Sequence, residues 1–176
     1  MPDSKEVRIR EATAEDRDAI RRVLEEAYGQ YQSVLPPEGW EQYKENILAS
    51  VDSERPIARI IALIDDEVVG SSQLFHSSDA AYDSPELGIE SPILRLLAVA
   101  PSARGQGIAT ALIQENVKRA AALGADTLHL HTSDMMESAV KLYERLGFER
   151  AYDKDIQKGE ILVKSYRLHI QTAAIL

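Results

Sequence analysis

The fold is decided by a stretch near the middle of the chain, residues 96–112, which reads LLAVAPSARGQGIATAL. An apolar run typical of a buried strand stops at Pro101, passes through RGQG at residues 104–107, and resumes with helix-forming residues. This pattern predicts a strand, a glycine turn and a helix. Because glycine has no side chain, such a turn lets a ligand approach the backbone closely.

Length and composition limit what the rest of the chain can be. The 176 residues, 44% of them hydrophobic, predict a single domain, residues 1–176, built on one core. A formal charge of -9 disfavours nucleic acid and anionic membranes as partners. No apolar run reaches the ~18 residues of a membrane span, and the N-terminus MPDSKEVRIR has no secretory core. We therefore expect a cytoplasmic protein.

The absence of cysteine removes several functional classes. A chain without cysteine has no disulfides, no thiolate metal ligands and no cysteine nucleophile.

The residues before the glycine turn predict a strand, two helices and a hairpin. Val7 and Ile9 alternate with charged residues, and Thr13 and Asp16 have the spacing of a capping box that opens a helix. The apolar faces of the two helices contain Ile20, Leu24, Ala27, Tyr28 and Tyr31 in the first, and Trp40, Tyr43, Ile47 and Val51 in the second. Residues 58–75 contain two β-rich runs around the turn DDE, and the polar residues 77–91 predict a long loop.

The residues after the turn alternate between helix and strand. The helix that follows the glycines ends at Gly124, and its buried face comprises Ile108, Leu112, Ile113, Val117 and Ala120. A strand DTLHLHT, a helix ending at Gly147 and a strand ILVKSYRLHI complete the chain. We predict the order β-α-α-β-β-β-α-β-α-β, with a short extra strand near residues 148–152. The fold class is mixed α/β, with a mostly antiparallel sheet of six to seven strands flanked by four helices.

The glycine turn has the features of a phosphate site. The first N–H groups of a helix are unpaired and carry the positive end of the helix dipole, and Arg104 adds a positive charge. A bare Gly-x-Gly more often makes only a tight turn without a ligand. The P-loop is disfavoured because no Lys-Ser or Lys-Thr follows, and the dinucleotide fingerprint because Thr110 replaces its third glycine.

Three motifs in sequence order resemble those of the GNAT superfamily of N-acyltransferases. The signature Arg/Gln-x-x-Gly-x-Gly/Ala is matched by Arg104, Gly107 and Ala109. Upstream, LAVAP at residues 97–101 resembles the family's Leu-x-Val-x-Pro strand end. Downstream, AVKLYERLGF at residues 139–148 resembles its Ala-x-x-x-Tyr-x-x-x-Gly-Phe helix. The order of elements agrees over about residues 6 to 170.

This resemblance implies a GNAT-type fold and the transfer of an acetyl group from acetyl-CoA to a primary amine of a small molecule or a protein. The pyrophosphate would bind backbone amides at the glycine turn, and the pantetheine would pair with the preceding strand. The implied cofactor-binding residues are Leu97, Ala98, Val99, Arg104, Gly105, Gln106, Gly107, Ile108, Ala109, Thr110 and Met136. Met136 replaces an asparagine of many members, and it either packs against the pantetheine or belongs to the core.

The resemblance also implies a general acid. Tyr143 matches the family tyrosine that protonates the departing thiolate, although its helix position equally suits the core. The base is not specified: Glu90 lies near a glutamate of some relatives but fits a solvated loop carboxylate better, and a water relay is the alternative. Arg95 either meets an acidic substrate group or pairs with a structural carboxylate, on the side of the strand that Leu97 and Val99 face.

The acceptor pocket implied by the family is shaped by the first two helices. Tyr28, Tyr31 and Trp40, with Tyr43, lie in that region, and the alternative is that they belong to the core. His129 and His131 have the spacing of two metal ligands, but no third ligand can be named and we predict no metal.

Two functions other than catalysis stay open. A non-catalytic acyl-CoA-binding sensor would keep the nucleotide site without an effective acid and base. A structural, partner-binding domain would have no affinity for CoA. Dimers are common in the family, so a homodimer is a further option.

Overall fold

The computed structural model describes residues 6–29, 32–33, 37–82, 85–132, 137–158 and 161–170. Within them the strands are β1 (Arg8–Glu11), β2 (Ala58–Ile64), β3 (Glu67–Phe75), β4 (Ile93–Val99), β5 (Thr127–Thr132), β6 (Glu149–Arg150), β7 (Ile156–Lys158) and β8 (Ile161–His169). The α-helices are α1 (Arg17–Tyr28), α2 (Pro37–Ala49), α3 (Ser78–Tyr82), α4 (Ile108–Ala122) and α5 (Glu137–Arg145).

The strands form a mixed sheet in the order β1-β2-β3-β4-β5-β8-β6, with β7 paired to β8. β4 and β5 are parallel, whereas β1 with β2, and β8 with β5, β6 and β7, are antiparallel. The predicted mixed α/β class and mostly antiparallel sheet are confirmed. The described residues contain eight strands rather than six to seven, because β7 has only three residues and carries no periodic signal.

The chain divides into two compact units, each discontinuous in sequence. The first comprises the described residues up to Gln73 together with Leu96–Glu115. Its core is formed by buried aliphatic side chains, among them Ile20, Val23, Leu24, Ile60, Ile61, Leu112 and Ile113. The hairpin of β2 and β3 turns at Asp65 and Asp66, whose φ values of 51° and 65° are typical of a type I′ turn.

The predicted capping box is present before α1. The Asp16 carboxylate accepts a hydrogen bond from the Thr13 amide at 2.7 Å and two from the Arg10 guanidinium at 2.8 and 3.0 Å. These bonds, led by those from Arg10, lower the pKa of Asp16 to about 2. The box opens a short 3₁₀ turn, Ala14–Asp16, and α1 follows it directly.

The second unit comprises Leu74–Arg95 and the described residues from Asn116 onward. Leu128, Leu130 and Leu168 are buried, and the alternation of the strands places His129 and His131 on the opposite face of β5, as predicted.

The predicted long loop at residues 77–91 was wrong in part, because it contains α3 and a 3₁₀ turn at Pro85–Leu87. Ser78 closes this segment: its amide donates to the Ile89 carbonyl at 2.8 Å, and its hydroxyl accepts from the Ile89 amide at 3.1 Å. Ala81 and Ile89 pack with Phe75 and Ile93. These apolar residues are too widely spaced in the sequence to indicate a helix. The chain therefore has five α-helices among its described residues, where four were predicted.

None of the described helices combines the length and the apolar character needed to cross a membrane.

Candidate functional site

The glycine turn lies in the first unit, between β4 and α4. The Ala100 amide donates to the Val69 carbonyl at 2.8 Å, which fixes the end of β4 against β3. A 3₁₀ turn, Pro101–Ala103, follows, and the chain then passes through Gly105 and Gly107 with φ values of 80° and 76°. These left-handed conformations explain both glycines, because a side chain would be strained there.

The start of α4 presents free backbone donors. The first hydrogen bond of the helix runs from the Ala111 amide to the Gly107 carbonyl at 3.0 Å, so the amides of residues 108–110 have no acceptor inside the helix. Residues 104–107 are exposed, and a Cβ built on Gly105 or Gly107 meets no described atom within 4 Å. Helix-start amides without a helical acceptor, next to an exposed arginine and an open glycine turn, are the geometry of a phosphate site.

Gly70 on β3 packs closely against the start of α4. This residue was not identified from the sequence. A Cβ at Gly70 would lie 2.8 Å from Ile108 Cγ2, 3.0 Å from Leu112 Cδ1 and 3.3 Å from the Ala98 carbonyl oxygen. Only a residue without a side chain lets α4 approach β3 this closely. A lone glycine inside a strand pattern was the available signal.

β4 is kinked at Leu96, which has φ 53° although it is not glycine. The parallel pairing with β5 joins Ile93 to His129 and Leu94 to Leu130, and the kink comes two residues later. A left-handed leucine costs about 1–2 kcal/mol, and strain of this kind clusters at functional sites. The left-handed residue interrupts the regular geometry of the strand. Leu97, Ala98 and Val99 follow it directly.

Arg95 was expected from the sequence to lie on the same side of the strand as Leu97 and Val99. That placement assumed that side chains alternate regularly along β4, and the left-handed Leu96 interrupts the alternation. The Arg95 guanidinium instead donates to the Ala81 carbonyl at 2.7 Å and lies 4.8 Å from the Tyr82 ring centre and 5.8 Å from that of Phe75. Among the described residues Arg95 therefore engages a backbone carbonyl and two rings, and not the structural carboxylate that was one of its two alternatives.

The aromatic residues predicted to shape the acceptor pocket form one cluster in the first unit. The Tyr28 and Tyr43 rings meet edge to face with centres 6.0 Å apart, and the centres of Trp40 and Tyr43 are 6.4 Å apart. Tyr28 and Trp40 are 8% and 5% exposed, and the Tyr28 hydroxyl donates to the Leu97 carbonyl at 3.3 Å. The cluster thus connects α1 and α2 to the strand that follows the kink. Tyr31 lies outside the described residues.

Tyr143 lies on α5 in the second unit and is 7% exposed. Its ring centre is 5.9 Å from that of Phe148, whose amide donates to the Tyr143 carbonyl at 3.0 Å. The turn after α5 thus fixes the position of this side chain. Met136 lies outside the described residues, and Glu90 is exposed at the surface of the segment before β4.

His131 is engaged at both ring nitrogens. Nε2 lies 3.0 Å from the Lys154 carbonyl, which can only accept, so Nε2 carries the proton. Nδ1 therefore accepts from the Tyr82 hydroxyl at 2.8 Å, and burial raises the pKa of Tyr82 to about 12. Both ring nitrogens of His131 are therefore engaged in hydrogen bonds within the protein. The described residues contain no group of three or more His, Cys, Asp or Glu side chains arranged to hold a metal ion.

The fold and the glycine turn define a class of α/β acyltransferases, and comparison with known proteins identifies the family. Residues 17–148 match the model of the Acetyltransferase (GNAT) family. Since this match covers well over half of the chain, the protein belongs to the GNAT acetyltransferase family and is an acyltransferase enzyme.

Individual relatives agree with this assignment. The chain is 29% identical over 145 residues to the uncharacterized N-acetyltransferase YjgM of Escherichia coli strain K12, over 80% of this chain and 81% of that protein. The PaiA N-acetyltransferase of Thermoplasma acidophilum, solved in complex with coenzyme A, superposes with a TM-score of 0.69 at 18% identity over 91% of this chain and 98% of its own. The ribosomal-protein-S18-alanine N-acetyltransferase of Escherichia coli superposes with a TM-score of 0.67 at 20% identity over 96% and 97% of the two chains.

Proposed function

We propose that this enzyme transfers the acetyl group of acetyl-CoA to a primary amine. The observation that carries the proposal is the start of α4, where the amides of residues 108–110 have no helical acceptor beside an exposed Arg104. The CoA pyrophosphate would accept hydrogen bonds from these amides. The positive φ values of Gly105 and Gly107 and the open space at their missing side chains support a ligand at this position.

The strand after the kink would bind the rest of the cofactor. Leu97, Ala98 and Val99 follow the left-handed Leu96, and their backbone groups would pair with the amide groups of the pantetheine. The Val99 amide would also donate to the thioester carbonyl. That bond strengthens as the carbonyl oxygen becomes negative in the tetrahedral intermediate, and a donor of this kind lowers the barrier by several kcal/mol, about 3 in the best-studied case.

The reaction would be a direct attack on the thioester. A neutral amine nitrogen forms a bond to the carbonyl carbon, the C–S bond breaks, and the leaving thiolate takes a proton. Tyr143 would supply that proton, as its match to the family tyrosine implies, and the packing of Phe148 against its ring would hold it in place. The nitrogen loses a proton to a base or to water.

The acceptor would be a primary amine of a small molecule or of a protein. The Tyr28 and Trp40 cluster on α1 and α2, with Tyr31, is proposed to shape its pocket, and the Tyr28 hydroxyl bonded to Leu97 supports a position beside the acetyl group. The name of one solved relative indicates that it acts on the alanine of a ribosomal protein, so peptide N-termini belong in any acceptor screen.

Release of free thiol from acetyl-CoA across a panel of amines tests the proposal. The panel contains diamines, amino acids, lysine peptides and peptides with free N-termini. We expect acceptor-dependent thiol release with at least one class. Binding of CoA without any acceptor-dependent release would replace the enzyme proposal by the acyl-CoA sensor, and no binding would overturn both. The cytoplasmic location and the homodimer stay predictions.

A further inference from the structure

The register of the second unit brings polar side chains together on one face of the sheet. β5 and β8 pair antiparallel with His129 opposite Arg167 and His131 opposite Ser165. Residues directly opposite each other share a face, with Cβ atoms about 4.5–5.5 Å apart. The other face of the same strands is mostly apolar, since Leu128, Leu130 and Leu168 lie there together with the buried Thr132. The four polar residues therefore form a block on one face of these strands.

Three atoms of this block are buried without a hydrogen-bond partner among the described residues: His129 Nδ1, Ser165 Oγ and Arg167 Nε. His129 is 6% exposed and Ser165 is fully buried. An unsatisfied buried polar group costs about 1–3 kcal/mol, and such groups are rare in folded proteins. Three of them in two neighbouring cross-strand pairs indicate one common occupant that satisfies all three.

The charges around the block are predominantly positive. The Lys154 ammonium donates to the Leu87 carbonyl at 3.1 Å, and the Arg95 guanidinium donates to the Ala81 carbonyl at 2.7 Å. Carbonyl groups are neutral, and the described residues place no carboxylate in an ion pair with either cation, so these bonds leave both charges unbalanced there. The carboxylates near Arg167 are Asp153, 3.7 Å away and mostly exposed, and Glu149, its cross-strand neighbour, which is also exposed. Solvent screens both. The mostly buried Asp155 carboxylate accepts from the Ser165 amide at 2.7 Å, but the Arg150 guanidinium 2.7 Å away balances its charge, so the charge left around the block is positive.

The lowered pKa of His129 agrees with an excess of positive charge around the block. Burial, followed by the neighbouring His131 and the positive charges of Arg167 and Lys154, lowers the pKa of His129 to about 4. His129 is therefore neutral at neutral pH, and its Nδ1 can carry the proton and donate. The Arg167 Nε–H and the Ser165 hydroxyl are donors as well. The block thus offers three buried donor groups beside excess positive charge.

We propose that His129, Ser165 and Arg167 bind a small inorganic monoanion of the halide type. A water molecule would satisfy the hydrogen bonds but would leave the positive charge unbalanced. Larger anions are excluded because His129 and Ser165 are almost completely buried. The anion stabilises the pairing of β5 with β8, and the inference is independent of the acetyltransferase reaction.

Crystals grown in sodium bromide test this site by anomalous diffraction. We expect a bromide peak in contact with His129, Ser165 and Arg167 in the wild-type protein. The peak should disappear in Ser165→Ala, and in Arg167→Lys, which keeps the charge but removes the Nε donor. Thr132→Val is the matched control, because it removes a buried, unpartnered hydroxyl from the other face of β5 and should keep the peak. A water molecule, or no density, at this position in the wild type would overturn the proposal.

A solution measurement provides the second readout. An anion that binds only the folded state raises the melting temperature with its concentration. At constant ionic strength, replacing gluconate by bromide should raise the melting temperature of the wild type and of Thr132→Val, and should leave Ser165→Ala unchanged. An equal response of all three proteins would mean that bromide acts elsewhere and would contradict the assignment.

Discussion

Replacing Gly70 with alanine tests whether close packing behind α4 positions the proposed phosphate site. The added Cβ would lie 2.8 Å from Ile108 Cγ2 and 3.0 Å from Leu112 Cδ1. Carbon atoms pack best at about 3.5–4.0 Å, so both contacts are too short by roughly 0.5 Å or more. Ile108 and Leu112 are 2% and 0% exposed, so both side chains are buried in the core. Either the start of α4 moves away from β3 to relieve the short contacts, or the contacts remain and destabilise the folded protein.

The expected magnitude follows from this overpacking, which costs about 1–3 kcal/mol. Urea denaturation should show a loss of that size in the free energy of unfolding. If movement of the helix start accounts for half of the strain, binding of CoA weakens by about 0.5–1.5 kcal/mol, or roughly twofold to tenfold in the dissociation constant. Calorimetry on the folded variant measures this second effect separately from stability.

Gly29→Ala is the matched control. Gly29 follows α1 with φ -58°, and a Cβ there meets no described atom within 4 Å. Alanine fits this conformation and reduces the freedom of the unfolded chain, so the variant should gain about 0.4–1 kcal/mol and bind CoA normally. If Gly70→Ala were as stable as this control and bound CoA with wild-type affinity, the proposed role of Gly70 would be refuted.

Three further substitutions have defined outcomes. Tyr143→Phe should lower kcat about 100-fold or more in the thiol-release assay and leave CoA affinity unchanged; an unchanged kcat would exclude the acid role. Arg104→Gln should weaken CoA binding a few-fold and reduce its dependence on salt, measured by titration at two ionic strengths. The pKa of Asp16 is lowered from 3.8 to about 2 in the folded state, so its bonds to Arg10 stabilise the protein above pH 4 and are lost between about pH 4 and 2. Urea denaturation over that range should show a loss of about 1–2 kcal/mol that Asp16→Asn lacks.

The elements around the proposed phosphate site were predictable because their signals are local. The apolar run before Pro101 became β4, and the helix predicted after the glycines became α4. Proline and glycine act on the residues beside them, so a single sequence carries this information. The family motifs then added the expected roles of Tyr143 and of residues 97–99, which stay predictions.

The features that were missed depend on residues distant in sequence. α3 is stabilised by the pairing of Ser78 with Ile89, eleven residues later. Gly70 matters because of Ile108, which the sequence gives no reason to place beside it. The left-handed conformation of Leu96 has no sequence signal, since leucine rarely adopts it. Tertiary packing imposes all three.

Calorimetric titration of coenzyme A into wild type, Gly107→Leu and Gly124→Leu tests the central claim most directly. The two glycines are matched: φ is 76° and 83°, and neither Cβ meets a described atom within 4 Å. Both variants therefore carry similar backbone strain, but only Gly107 lies at the proposed phosphate site. We predict that wild type and Gly124→Leu bind CoA with similar affinity and that Gly107→Leu binds at least about tenfold more weakly, a loss of 1.4 kcal/mol or more. Equal affinity in all three, or no heat of binding in the wild type, would contradict the account.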